Sequence, residues 1–325
     1  MLPRYAQDKP KDYSSYLHIE NTNPDILDPE KKRLKLSDDL ERDLQETSGE
    51  KLAITHDPNQ ELATTGTGAT EKLFAPTVQL TGHQREVLCV KFSPDGKHLA
   101  SAGFDKLIYL WDVYRDCTNY ATIKGHKNAV LELQWSLDGT RLYTCSADKT
   151  VSCLDVETCK RIKKFVGHTS FVNSCHPARR GLELVASGSD DNTTKIWDMR
   201  QREPAYNFES KYSVTAVSFN DTADKVFSSG LDNQIKVWDL RKNDIDYVLY
   251  GHTDTITGLA LSPEGSYLLS NSMDQTIRCW DVKSFVIGNR CVKIFQGNSH
   301  SFEKNLLRVG WSSDGTMMTA GSSDK

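Results

Sequence analysis

The sequence predicts an all-β fold made by repeating one four-stranded sheet, and three periodic features carry that prediction. A Trp-Asp pair or its equivalent ends at Asp112, Asp155, Asp198, Asp239 and Asp281, at spacings of 43, 43, 41 and 42 residues. Gly-His pairs recur at Gly82-His83, Gly125-His126, Gly167-His168 and Gly251-His252. An Asp stands seven residues before the last Asp of each unit, at Asp105, Asp148, Asp191, Asp232 and Asp274, and a Ser or Thr stands four residues earlier still, at Ser101, Thr144, Ser187, Ser228 and Ser270. Markers held in register over five copies define a repeat architecture.

Within each unit the apolar runs have strand character. In the first, residues 87–92 lead to the turn Ser93-Pro94-Asp95-Gly96. Residues 98–102 follow, then a tight turn at Asp105, then 107–111, and a last run from 119 to 124. These runs are rich in Val, Ile, Leu and aromatic residues and are separated by turn formers, which predicts four short strands per period. Two units depart from the pattern. The second has Leu154-Asp155 in place of Trp-Asp, and the fourth has Lys211-Tyr212 where Gly-His is expected. Ser228 and Asp232 are therefore expected to lack a His partner. The third unit carries Arg179-Arg180 in the turn between its first two strands, a candidate contact for acidic protein or phosphate, set against a solvated turn.

After Asp281 the spacing stretches. Residues 290–296 read as the outer strand of the fifth unit, and Gly297-Asn298-Ser299-His300 stands at the Gly-His position. Residues 301–305 lengthen the next loop before a strand at 306–311, and Phe302 and Lys304 on that loop are candidate partner contacts. Asp324 matches the turn Asp of earlier units, so its Trp-Asp pair falls past the last residue given. The register thus predicts five complete sheets and the first two strands of a sixth.

Residues 1–72 are of another kind. They hold no Trp, Phe or Cys, and their 10 Lys+Arg against 15 Asp+Glu leave about +1 for residues 73–325. Such a segment buries too little apolar surface to offset its ordering entropy, so a disordered polar tail is expected. Lys31-Lys32-Arg33-Leu34-Lys35 is a short basic cluster of the nuclear-import type. The N-terminus lacks the apolar core of a signal peptide, and no apolar run is long enough to span a bilayer. The eight cysteines form no CxxC pair, and Cys89, Cys145, Cys153 and Cys279 sit inside strand-like runs, which predicts packed, reduced thiols and no metal site.

A four-stranded sheet repeated at this period resembles the blade of a WD40 β-propeller, and the resemblance covers residues 73–325. It implies seven blades in the complete family fold, so the chain is expected to be C-terminally incomplete, with residues 73–80 as a ring-closing strand. It also implies a hydrogen-bonded tetrad in each blade. By position these are His83, Ser101, Asp105 and Trp111; His126, Thr144 and Asp148; His168, Ser187, Asp191 and Trp197; Ser228, Asp232 and Trp238; and His252, Ser270, Asp274 and Trp280. Recurrence in every unit argues against reading Ser, His and Asp as a hydrolase triad, which needs one nucleophile, one base and an oxyanion site. The residue before each turn Asp faces the channel mouth in the family. Here Phe104, Ala147, Asp190, Leu231 and Met273 take that place, and of these Phe104, Asp190, Leu231 and Met273 are candidate partner contacts.

More specific stretches are GHTSFVNSCHPARRG at 167–181, EGSYLLSNSMD at 264–274 and RCVKIFQGNSHSFEKNLLR at 290–308. Phe219-Asn220-Asp221-Thr222 and residues 231–238 belong with them. They are similar to the WD-repeat subunits of the U5 small nuclear ribonucleoprotein. That resemblance implies a nuclear, non-enzymatic scaffold of the spliceosome beside a large Prp8-type protein and other U5 proteins, with no cofactor. The composition agrees in kind: the periodic region is near neutral, with no basic stripe and no run of stacking aromatics for direct RNA binding. The alternative is a substrate-recruiting adaptor of a ubiquitin ligase or other nuclear complex; a ligase adaptor would need arginines converging on the top rim.

Overall fold

The computed structural model describes residues 78–114, 117–300 and 305–323. The expected tail at 1–72 and the contact candidates Phe302 and Lys304 lie outside them. Among the described residues there are 22 strands and no helix. Blade 1 comprises β1 (Val87–Phe92), β2 (His98–Gly103), β3 (Leu107–Asp112) and β4 (Asn119–Lys124). Blade 2 is β5 (Val130–Trp135), β6 (Arg141–Ser146), β7 (Thr150–Asp155) and β8 (Arg161–Val166). Blade 3 is β9 (Val172–Pro177), β10 (Leu184–Ser189), β11 (Thr193–Asp198) and β12 (Pro204–Glu209). Blade 4 is β13 (Val214–Phe219), β14 (Lys225–Gly230), β15 (Ile235–Asp239) and β16 (Asp244–Leu249). Blade 5 is β17 (Ile256–Leu261), β18 (Tyr267–Ser272), β19 (Thr276–Asp281) and β20 (Cys291–Gln296). A two-stranded sheet, β21 (Val309–Trp311) with β22 (Met318–Ala320), follows.

Each blade is an antiparallel meander in chain order, and the first strands of successive blades lie side by side from β1 to β21. This is a propeller arrangement, with the first strands innermost. Burial follows from it. The second strands are sandwiched between neighbouring blades and are almost wholly buried, as in β10 (Leu184–Ser189). The outer strands β4, β8 and β12 each bury one side chain, Ile123, Phe165 or Phe208. Seams between blades are closed by polar bonds as well as by packing. Trp135 Nε1 donates to Lys91 O at 3.0 Å, and Trp311 Nε1 to Ala260 O at 3.1 Å. Between blades 3 and 4, Phe219 N–H donates to His176 Nδ1 at 3.3 Å.

The register slips at the same place in four inner strands, taking Leu88, Leu131, Thr215 and Thr257 out of the ladder. In blade 3 the slip lies between Val172 and Ser174 and releases Asn173. A bulge of this kind frees a backbone carbonyl from strand pairing and turns it aside. The carbonyls of Asn173, Thr215 and Thr257 acquire a partner in the channel, described below.

Three details differ from the sequence-based expectation. Of the expected strand at 73–80 only 78–80 are described; they pair with no strand and leave Val78 and Leu80 exposed. The strand expected at 306–311 is regular only from Val309, because Leu307 O is taken by Thr257 Oγ1 at 2.8 Å and Asn271 Nδ2 at 3.1 Å. The outer strand of blade 5 begins at Cys291, since Arg290 instead ties down the loop before it. All eight cysteines are free thiols.

Candidate functional site

The top edge of each blade is formed by the loop entering its first strand and the turn between its second and third strands. In blade 3, Trp197 Nε1 donates to Ser187 Oγ at 2.8 Å, and Ser187 Oγ lies 2.7 Å from His168 Nε2. His168 Nδ1 lies 2.7 Å from Asp191 Oδ2. The Asp191 carboxylate can only accept, so the ring nitrogen facing it must be the donor, and in the neutral ring Nε2 accepts the Ser187 hydroxyl. His168 therefore carries its proton on Nδ1 and donates it to the carboxylate. Blades 1 and 5 repeat the geometry: His83 meets Asp105 and Ser101 at 2.7 Å each, and His252 meets Asp274 at 2.8 Å and Ser270 at 2.7 Å. Trp111 and Trp280 each donate to their Ser at 2.8 Å.

The Asp is the hub. Asp191 Oδ2 also accepts Thr169 N–H at 3.0 Å, while Oδ1 takes Thr193 N–H at 3.0 Å and its hydroxyl at 2.6 Å. Burial alone would raise this carboxyl, but the bonds from His168, Thr193 and Thr169 outweigh it and hold Asp191 well below the ordinary range. In Asp148 burial is likewise outweighed, by His126, Thr150 and Lys127, and in Asp274 by Thr276, His252 and Thr253. Burial lowers His252 despite the opposing pull of Asp274.

The Ser hydroxyls are closed inside the blades. Ser187 and Ser270 are 0% exposed, and their lone pairs face an indole N–H. The arrangement pairs polar groups that the packed blades have taken from water.

Blades 2 and 4 each keep part of the relay. In blade 2, Leu154 replaces Trp and is fully buried, while His126 still meets Asp148 at 3.1 Å and Thr144 at 2.8 Å. In blade 4, Trp238 donates to Ser228 at 2.8 Å, but no His is present. Asp232 is nevertheless paired: Lys236, the second residue of β15, places Nζ 2.6 Å from its carboxylate. The repeat register leaves Asp232 without its His and does not reveal this ammonium, because Lys236 belongs to no periodic marker.

A second polar centre that the register does not mark lies in the channel. Arg308 precedes β21, and its guanidinium donates to Thr215 O at 3.1 Å, Thr257 O at 2.9 Å and Asn173 O at 2.6 Å. These are carbonyls of bulge residues in blades 3, 4 and 5. Arg308 also lies 3.3 Å from Glu132 Oε2 of blade 2, with side-chain exposures of 21% and 9%. Glu132 takes Cys175 N–H at 3.3 Å and Gln134 Nε2 at 3.0 Å as well. Ser174, Ala216 and Gly258 stand where blade 2 has Glu132 and the chain entering β21 has Arg308. These small side chains leave the room that the long arm of Arg308 crosses. A Cβ on Gly258 would come within 3.1 Å of Arg308 Cα.

The five channel-mouth residues share one backbone feature: each donates its N–H to the loop just before its inner strand, as Phe104 does to Glu86 O at 3.0 Å and Met273 to Thr255 O at 2.9 Å. Phe104, Leu231 and Met273 are half-buried, Ala147 is buried, and Asp190 is exposed and accepts Asn173 Nδ2 at 2.6 Å. The two arginines of blade 3 part company. Arg179 turns inward and donates to Ser262 O at 2.7 Å, Leu261 O at 3.0 Å and Pro263 O at 3.3 Å, tying blade 3 to blade 5. Arg180 stays exposed and pairs with Asp221 at 3.1 Å. Arg179 is thus engaged within the fold, and Arg180 alone presents its charge outward. Among the described residues no group of His, Cys, Asp or Glu could hold a metal ion.

Comparison with known proteins follows this geometry closely. The family model described as WD domain, G-beta repeat, matches residues 74–112, 117–155, 159–198, 202–239 and 244–281, each match ending on the last Asp of a unit. The human U5 small nuclear ribonucleoprotein 40 kDa protein is 59% identical over 253 residues, covering 78% of this chain and 71% of that protein. The Dictyostelium discoideum protein of the same description is 46% identical over 261 residues, covering 80% and 74%. The Schizosaccharomyces pombe pre-mRNA-splicing factor cwf17 is 42% identical over 256 residues, covering 79% and 75%. The chain belongs to the WD40 repeat family and, within it, to the family of the U5 small nuclear ribonucleoprotein 40 kDa proteins.

Proposed function

We propose that this protein is a non-enzymatic interaction scaffold of the U5 small nuclear ribonucleoprotein, acting in pre-mRNA splicing in the nucleus. The observation that carries the reading is the 59% identity over 253 residues to the human U5 40 kDa protein, an identity far above what a shared propeller frame requires. A relative described as a pre-mRNA-splicing factor points the same way. The geometry agrees with it. The recurring Ser, His and Asp are closed inside the blades, and the periodic region is near neutral. The surface then serves proteins, foremost a large Prp8-type scaffold and other U5 components, with RNA contact indirect. The half-buried apolar rim of Phe104, Leu231 and Met273, together with exposed Asp190 and Arg180, supplies contact candidates on the two ends of the propeller. A ubiquitin-ligase adaptor would need arginines gathered on the top rim, and the rim positions hold Phe, Ala, Asp, Leu and Met instead.

The test is affinity capture of the tagged chain from nuclear extract, with and without ribonuclease. Co-purification of U5 RNA and splicing proteins is expected, the proteins persisting after digestion. Recovery of cullin-type machinery without splicing proteins would overturn the assignment.

A further inference from the structure

The connections between third and fourth strands are short in four blades and long in one. Residues 113–118, 156–160, 199–203 and 240–243 make the short ones; 282–290 makes the long one, in blade 5. Its sequence is Val-Lys-Ser-Phe-Val-Ile-Gly-Asn-Arg, and it carries Phe285 at 97% and Ile287 at 104% exposure, the two most exposed large apolar side chains among the described residues. A surface loop gains nothing from displaying such groups to water unless they are covered by something else.

The loop is anchored at its base. Arg290 donates to Asp281 O at 3.1 Å and Lys283 O at 2.9 Å, closing its two ends together. The same guanidinium lies 4.2 Å from the centre of the Tyr247 ring, on the outer strand of blade 4. Val282 packs into the core shared by blades 4 and 5. At the tip, Gly288 adopts φ 94° and turns the chain back, so the two apolar side chains project from a loop tied at its base. Closing the two ends reduces the chain freedom that binding would otherwise have to remove.

Charge around the tip sets the partner. On the same end of the propeller, Arg241 and Lys242 in the neighbouring connection are 80% and 67% exposed, while the carboxylates beneath them, Asp224 and Asp239, are 28% and 13% exposed. Lys242 also lies 3.3 Å from Asp246, which is 21% exposed, and half-buried Asp281 accepts Lys283 N–H at 3.0 Å. Exposed Lys283 adds a third outward cation at the loop itself, and Asp244 is the exposed carboxylate of the group. The outermost layer is therefore cationic around an apolar point.

We propose that residues 282–290 form a docking loop whose Phe285 and Ile287 enter an apolar pocket, rimmed by carboxylates, on a protein partner within the U5 particle. Ile287 has no ring to stack on a base, which favours protein over RNA. The proposal rests on the splicing reading above and names a surface of the chain that the repeat pattern does not mark.

The experiment uses the full chain, tagged and exchanged into U5 particles in nuclear extract. The double variant Phe285→Ser/Ile287→Ser should be retained at least tenfold less than the unaltered chain in 0.3 M salt, on the order of what removing two buried apolar anchors produces. Its thermal unfolding should be unchanged, since neither side chain touches the fold. Lys283→Glu combined with Arg241→Glu should weaken retention several-fold. A photocrosslinking benzophenone side chain placed at position 285 should mark one protein, through a segment rich in apolar and acidic residues. Equal retention of the double variant, with the unaltered chain retained, would overturn the loop proposal and leave the scaffold reading standing. Failure of the unaltered chain to enter the particle would overturn both. A crosslink to RNA, or a concentration-dependent self-association abolished by the same two substitutions, would also overturn it.

Discussion

Blades 3 and 4 close their top edges with different chemistry, and the difference separates two functions that the repeated tetrad combines. Both keep the indole-to-hydroxyl bond at 2.8 Å, Trp197 to Ser187 and Trp238 to Ser228. Blade 3 pairs its turn Asp with the ring N–H of His168, which also reaches the Ser. Blade 4 neutralises Asp232 with the ammonium of Lys236, which reaches only the Asp. Blade 2 supplies the reciprocal case, keeping the imidazole and losing the indole. The requirement is that a buried carboxylate and a buried indole N–H each find a partner; a continuous relay between them is one way of meeting it.

A centre that ties blades together should matter more than one inside a blade. Arg308→Ala removes donors from carbonyls in three blades and leaves Glu132 buried without its cation. Breaking a buried pair from one side costs about 3–5 kcal/mol, and the partial exposure of Arg308 places the expectation near the lower end, about 3 kcal/mol. Urea denaturation of the variant checks this. A loss under about 1 kcal/mol would show that the bulge carbonyls are satisfied without the guanidinium.

Within blades, His168→Ala should cost about 2–3 kcal/mol, because Asp191 keeps its backbone donors but loses its principal side-chain partner in a site with 6% exposure. Lys236→Ala should cost less, about 1 kcal/mol, since Asp232 is 14% exposed and water can replace part of what the ammonium gave. If the two variants were equally destabilised, the separation drawn between blades 3 and 4 would fail.

Most of the blade 3 edge is legible in the sequence, and most of the channel is not. Contacts inside a blade recur at fixed spacing, so the register of Gly-His, Ser and Asp names side chains that hydrogen-bond here. Arg308 and Glu132 occur once each, 176 residues apart in sequence, and they meet only because the inner strands gather around one axis. Lys236 escapes the pattern for a related reason: a Lys within a third strand reads as a solvated side chain unless the missing His is known to leave room for it. The apolar loop of blade 5 is legible only as extra length.

Acid should cost stability through His176, at the blade 3–4 seam, before it does so through the Asp hubs. Burial, then the positive charges of Arg179 and Lys91, lower His176 to about 3. Its neutral Nδ1 accepts Phe219 N–H, which protonation forbids. The unfolded chain takes up this proton near pH 6.5 and the folded one does not, so the stability is full above about pH 6.5 and falls with acidification, at most about 1.4 kcal/mol per pH unit for one group. The depressed Asp148, Asp191 and Asp274 add their loss only below about pH 4. Stability measured from pH 7.5 to 4.5 should decline less steeply in His176→Gln, which keeps an acceptor and does not titrate. An unchanged slope would place the proton uptake elsewhere.

The smallest effect is the most direct probe of the comparison. Tyr212 stands where blade 4 lacks its His, and its side chain is 46% exposed. Tyr212→His alone should alter stability by less than about 0.5 kcal/mol, because Lys236 already holds Asp232 and a second donor gains little. Lys236→Ala alone should lose about 1 kcal/mol, as above. If imidazole and ammonium are alternative donors answering one requirement, the imidazole becomes useful only once the ammonium is gone. The double variant should then be more stable than the sum of the singles by about 0.5–1 kcal/mol, a coupling within reach of a double-mutant cycle. Additivity would mean that the loop at 211–212 cannot bring an imidazole to Asp232. In that case blade 4 differs from blade 3 in backbone path as well as in side chain, and Lys236 is the residue that this path requires.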